Sequence, residues 1–112
     1  MYTVYLICSY IGENKVYKIG YTRRQVEDRI KDFKTSNCSS MVIIDYFKSK
    51  WGTKIESQLH KRFKSEQKGI SGEWFSLTDE DISMFKTYCE TIHNNFELVS
   101  NENTYYLEKN KF

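Results

Sequence analysis

Residues 15–35, KVYKIGYTRRQVEDRIKDFKT, change hydrophobic period partway along, and this restricts the fold more than any other feature of the chain. Tyr17, Ile19 and Tyr21 alternate with Lys18 and Gly20, the period of a half-buried strand. After Thr22 the apolar residues Val26, Ile30 and Phe33 recur at helical spacing, which predicts a helix from about Gln25 to Lys34 with Thr22 as its cap. Gly20 stands at the changeover, where a residue without Cβ permits a tight turn or a close approach. Arg29 flanks the apolar stripe. A strand presenting Lys18 and a helix presenting Arg29 at one end of a sheet make a cationic site of phosphate size.

The remaining chain supplies the partners of that unit. Tyr2–Cys8 is β-branched and aromatic and predicts a strand, joined through a turn containing Gly12, Glu13 and Asn14 to the second strand. Thr35–Ser40 reads as polar loop, and the near-continuously apolar Met41–Phe47 as a third, central strand. Ile55, Leu59 and Phe63 form the stripe of a second helix, with Thr53 and Glu56 at capping-box spacing. Lys64–Gly72 is a polar loop, and Glu73–Leu77 is short and aromatic. Thr78 opens a third helix with Asp79, Glu80 and Asp81 in its first turn and Ile82, Phe85, Cys89 and Ile92 on its buried side. The tail after His93 reads as a weak added hairpin or a segment docked on the body. The chain is thus expected to be one domain over residues 1–93, followed by a tail over 94–112.

At 112 residues and 16% aromatic the chain can bury one modest core, and it contains no proline. Cys8, Cys38 and Cys89 are odd in number and form no C-x-x-C, and His60 and His93 lie far from them, so zinc-site spacing is absent. They read as reduced thiols of an intracellular protein. The apolar run Val4–Cys8 is too short for a signal peptide or a membrane span. Residues 1–72 carry 14 Lys and Arg against 7 Asp and Glu, and residues 73–112 carry 3 against 8. A basic body with an acidic end suits a polyanionic partner, and ordinary surface fluctuation accounts for it equally well.

Tyr5, Lys18, Arg29 and Glu56 are the candidates for a shared site. Glu56 and His60 stand i, i+4 on one helix face. A carboxylate and a histidine lack the third ligand of a zinc site, whereas one carboxylate with water and substrate phosphate is how Mg²⁺ is usually held. Arg23, Arg24, Lys54, Lys61, Arg62, Lys64 and Lys68 are candidates for non-specific phosphate contacts. Trp74 and Phe75 fit an edge strand plugging the core better than a base-stacking surface.

Three motifs in order, KIGYT at 18–22, ESQLHKRF at 56–63 and GEWF at 72–75, resemble the GIY-YIG endonuclease superfamily, in particular its phage, viral and bacterial branch. The resemblance covers about residues 2–77. It implies an α+β fold with a β-β-α-β-α core, a mixed three-stranded sheet flanked by helices, plus the added helix 78–93. It also implies cleavage of DNA phosphodiesters with one divalent metal, Mg²⁺ or Mn²⁺. Carried over, Glu56 would hold the metal, Tyr5 would be the general base and Arg29 would contact the scissile phosphate. Lys18 stands where most members carry the second-motif tyrosine, with Tyr17 beside it as a partial substitute. Lys18 and Arg29 would together pull the Tyr5 phenol toward phenolate. Two departures accompany the match: the glycine of the first motif is Thr3, and a late-core Asn has no counterpart unless His60 or Glu73 serves. The alternative reading is a weak or inactive module of this kind that binds nucleic acid or a protein partner. DNA is the expected substrate, with RNA left open, and the chain is expected to act as a monomer or weak homodimer.

Overall fold

The structure, a computed structural model, describes the backbone of residues 1–36 and 41–109 and the side chains of 1–31 and 41–100. Of the expected loop Thr35–Ser40, residues 35 and 36 are helical, a correction, and 37–40, with Cys38, lie outside the described residues, as does the Phe33 side chain. Strand β1 (Tyr2–Ile11) turns through Gly12 and Glu13 into β2 (Asn14–Thr22). Gly12 takes φ +63° at the first turn position, as a two-residue hairpin of type II′ requires. Helix α1 (Val26–Ser36), β3 (Val42–Ser49) and α2 (Gly52–Ser65) follow, then a short hairpin of β4 (Gly69–Ser71) and β5 (Trp74–Phe75), then α3 (Asp79–Ser83) and α4 (Phe85–Lys109).

The fold is α+β, as the sequence predicts, with one sheet of five strands in the order β3-β1-β2-β5-β4. Every pairing is antiparallel, so the mixed three-stranded sheet is corrected. The central strand is β1. Its residues Val4–Cys8 are all buried, because α2 and α4 cover one face of the sheet and α1 covers the other. The run Met41–Phe47, expected at the centre, forms an edge strand, with Val42 55% and Tyr46 46% exposed. An apolar run shows that a strand is present but not which strands lie beside it.

On the α2–α4 side the core joins Leu6 and Ile19 to Ile55, Leu59 and Phe63 of α2 and to Phe75, Phe85 and Cys89. On the α1 side Tyr5 and Ile7 meet Val26, Ile30 and Met41. Cys8 and Cys89 are buried free thiols. No helix among the described residues is long and apolar enough to cross a membrane.

Thr78 caps α3 as expected: its hydroxyl accepts from the Asp81 N–H at 3.1 Å while its own N–H donates to Asp81 Oδ2 at 3.0 Å. The single third helix is instead two, broken at Met84, and the second continues to Lys109. Residues 94–109 are therefore helical rather than a hairpin. Phe96 stacks on Trp51 at 5.6 Å, and Glu97 accepts from Trp51 Nε1 at 3.0 Å and pairs with Lys50. Phe85, Cys89, Ile92 and Phe96 form one i, i+4, i+7, i+11 series, the signal that would have revealed the longer helix.

Candidate active site

Tyr5 on β1 pairs in register with Gly20 on β2, and its ring lies across that glycine. A Cβ built on Gly20 would stand 2.4 Å from the Tyr5 hydroxyl oxygen and 2.6 Å from Cζ. Gly20 is therefore required for close approach rather than for a turn, and it leaves room for the phenol. Gly20→Ala is expected to push the hydroxyl off its position, lowering both thermal stability and any activity that depends on Tyr5. Unchanged melting and unchanged activity would contradict this packing.

The Arg29 guanidinium of α1 donates a hydrogen bond to the Tyr5 hydroxyl. Val26 and Ile30 point into the core and fix the helix, which leaves Arg29 half-buried on the flank. Burial pushes the Tyr5 phenol up to about 12; Arg29 pulls it down, and the charges of Glu73 and Glu56 push it up further. The expected pull toward phenolate is thus corrected for the free protein. Arg29 acts in the expected direction but is outweighed, and Lys18 is paired with a carboxylate instead: its Nζ lies 3.2 Å from Glu73 Oε2 and 5.6 Å from the centre of the Trp74 ring.

Lys18 and Gly20 share the α1 face of β2 with Tyr5, as alternation requires. For the same reason Tyr17 faces the other way. It is 5% exposed in the α2–α4 core, where burial and then neighbouring Cys8 and Asp79 raise its pKa. Its expected supporting role is corrected, because adjacent residues of a strand cannot share one face.

Glu56 and His60 reach this site from the other side of the sheet. The Ile19 N–H donates to the Glu73 carbonyl at 3.1 Å, just before β5 begins at Trp74. The Ile19 carbonyl, past the end of β5, accepts from His60 Nε2 at 2.8 Å. A carbonyl only accepts, so His60 carries a proton on Nε2. The same nitrogen lies 3.2 Å from Glu56 Oε1. The two faces of the sheet therefore meet where β5 stops, and Glu73 acts on Tyr5 from one face and on Glu56 from the other. Burial and the Glu73 charge raise the Glu56 pKa, while His60 and Lys64 oppose the rise. The expected capping box of Thr53 and Glu56 is absent: Trp51 is the N-cap of α2 and the helix start has no side-chain cap. Glu56 is therefore not engaged at the helix end. Glu73, considered from sequence only as a stand-in for the missing Asn, is the residue that links the two halves of this cluster.

The seven expected phosphate-contacting cations are not gathered on one stripe. Arg23 and Arg24, at the β2–α1 junction, line a concavity of about 280 Å³ with Gln25, Tyr46 and Lys48. Arg23 donates to the Tyr2 hydroxyl at 2.6 Å, and the Arg24 N–H donates to Thr22 Oγ1, so Thr22 closes a local turn instead of capping α1. Lys61 and Lys64 are exposed on α2, and Lys64 acts on Glu56. Lys54 lies over the Phe96 ring. Arg62 pairs with Glu66 at 3.4 Å and lies 3.9 Å from the centre of the Tyr88 ring. Lys68 bonds Glu66 and Asp81, each at 2.8 Å, and so ties the β4 hairpin to the capped start of α3.

No group of three or more His, Cys, Asp or Glu able to hold a metal occurs among the described residues. The cluster nevertheless fits a hard divalent ion bound by one carboxylate. The Glu56 side chain is 13% exposed, and the neighbouring Glu73 makes its negative charge unfavourable, a repulsion that a cation relieves.

A family model, the T5orf172 domain, matches residues 2–98, which takes in the sheet, α1, α2 and the first half of α4. It is a phage-associated domain found in nuclease contexts. No match is found among curated proteins or among solved structures.

Proposed function

The chain belongs to the T5orf172 domain family, and on that footing we propose that it is a GIY-YIG-type endonuclease that hydrolyses DNA phosphodiester bonds with one divalent ion, Mg²⁺ or Mn²⁺. One observation supports the reading: the Tyr5 phenol, bonded by the Arg29 guanidinium, feels the charges of both Glu56 and Glu73, and Glu73 is the carboxylate paired with the Lys18 ammonium. A phosphodiester undergoing attack accumulates charge on its oxygens, and a fixed guanidinium stabilises that charge without reorganising. Arg29 has this role, held by its bond to Tyr5. Lys18 binds the entering backbone. His60 fixes Glu56 against the edge of β2, and Glu56 holds the ion. When bound, the ion supplies positive charge to the phosphate and acidifies a coordinated water.

Tyr5 takes the proton of the attacking water as the water oxygen bonds to phosphorus. The bond from phosphorus to the leaving sugar oxygen breaks, and that oxygen takes its proton from solvent. From about 12, acting as base near neutrality requires a drop of about five units, roughly 7 kcal/mol. The resting phenol is therefore neutral, and neutralising Glu56 removes one of the charges that hold it so. This high resting value also favours a second reading, a module that grips nucleic acid without cutting it.

The deciding experiment is cleavage of supercoiled plasmid and short oligonucleotides with Mg²⁺, Mn²⁺ or chelator. The nuclease reading expects ion-dependent nicking that falls about 10²–10³-fold in Arg29→Ala. Salt-sensitive DNA binding with no cleavage under any cation would overturn it in favour of the binding module.

A further inference from the structure

Trp74 and Phe75 stand side by side on β5 and face opposite ways. Phe75 is fully buried in the α2–α4 core, the plug that the sequence suggested, but β5 lies between β2 and β4, so the expected edge position is corrected. Trp74 is half-buried on the other face and forms one wall of a cavity of about 230 Å³. Ile70, 48% exposed, stands at its rim, and Ser9, Val16 and Ser71 also line it.

We propose that this cavity receives one unpaired nucleobase of the strand whose phosphate lies at Lys18, so that the substrate carries a single-stranded or extruded nucleotide beside the cleaved bond. The proposal rests on the nuclease reading for the position of that phosphate. A nucleotide is an anion joined to a flat ring. Here a cation stands over the indole that forms the cavity wall, with Lys18 Nζ 5.6 Å from the ring centre. The cavity is smaller than the roughly 300–1,000 Å³ of drug-sized ligand sites, which suits a single ring better than a peptide segment. An aromatic wall beside a cation binds unpaired bases whatever their sequence, because every base has a π-face. A base stacked within a duplex cannot reach a pocket in the protein wall, so the occupant must be unpaired or flipped out. The Glu73 carboxylate that Lys18 now holds is 43% exposed and can move to solvent when a phosphate replaces it.

The test is binding of labelled DNA of about 12 nucleotides, single-stranded or fully paired, by fluorescence anisotropy with chelator present so that no cleavage intervenes. Wild type should prefer the single strand. Trp74→Ala should weaken single-strand binding about fivefold to a hundredfold and leave duplex binding within about twofold, with Trp74→Phe retaining most of the affinity. Ile70→Ala, at the cavity rim, should weaken single-strand binding about threefold to tenfold. Ile70 lies outside both buried clusters, so its variant remains informative even if Trp74→Ala fails to fold. Equal losses on both DNA forms, no preference for the single strand, or insensitivity to Ile70→Ala would each overturn the proposal. Since cutting is not measured, these outcomes are independent of whether the protein is a nuclease.

Discussion

Tyr5→Phe is expected to slow DNA cleavage by about 10²–10⁴-fold, the range of a lost general base, while the protein stays folded. Phe fills the same volume against Ile7, Val26 and Ile30, and only the hydroxyl and its bond from Arg29 disappear. Losing that bond should cost about 1 kcal/mol of stability, far too little to unfold the chain. The pH dependence gives the sharper signature. Deprotonated Tyr5 is the active form, and burial holds its pKa at about 12, so the active fraction at neutrality is small and grows tenfold for each pH unit. The kcat/KM of wild type, which reports the free enzyme, should therefore rise from about pH 6 to pH 9 without a plateau. In Tyr5→Phe this dependence should vanish. A profile of the same shape in both proteins would remove Tyr5 from the proton transfer.

Glu56→Gln should abolish ion-dependent cleavage, by a thousandfold or more if the ion contributes several kcal/mol at about 1.4 kcal/mol per factor of ten. DNA binding in chelator should be unchanged, and it should tighten if the lost charge had repelled the backbone. The stability effect is small and favourable in sign, because burial and Glu73 already disfavour the charged form of Glu56. The amide retains the shape, and His60 keeps its bond to the Ile19 carbonyl. Calorimetric titration with Mn²⁺ alone separates loss of the ion from loss of fold. Cleavage at wild-type rate in Glu56→Gln would mean that the carboxylate is structural.

Much of this site was legible in the chain because strand alternation is strict. Tyr5, Lys18 and Gly20 share a face for the same geometric reason that puts Tyr17 on the other, and the expectation for Tyr17 failed by ignoring that rule. The helix stripes placed α1 and α2, and with them Arg29 and Glu56. What local pattern could not show was which groups meet across the fold. Lys18 is matched by Glu73, 55 positions away, and the end of β5 opens the Ile19 carbonyl to His60. The direction of the Tyr5 shift depends on burial, which exceeds the effect of the nearby cations. The edge position of β3 and the length of α4 were missed for a related reason: both depend on what packs alongside, and Trp51 and Lys50 hold Phe96 and Glu97 from another element.

The most direct measurement of the central claim is a crystal structure of the protein with a short oligonucleotide and Mn²⁺, read from the anomalous signal. The account predicts a manganese peak against Glu56, with a backbone phosphate bridging that ion and Arg29 beside the Tyr5 hydroxyl. Manganese bound elsewhere, or a phosphate seated away from Arg29 and Tyr5, would contradict it.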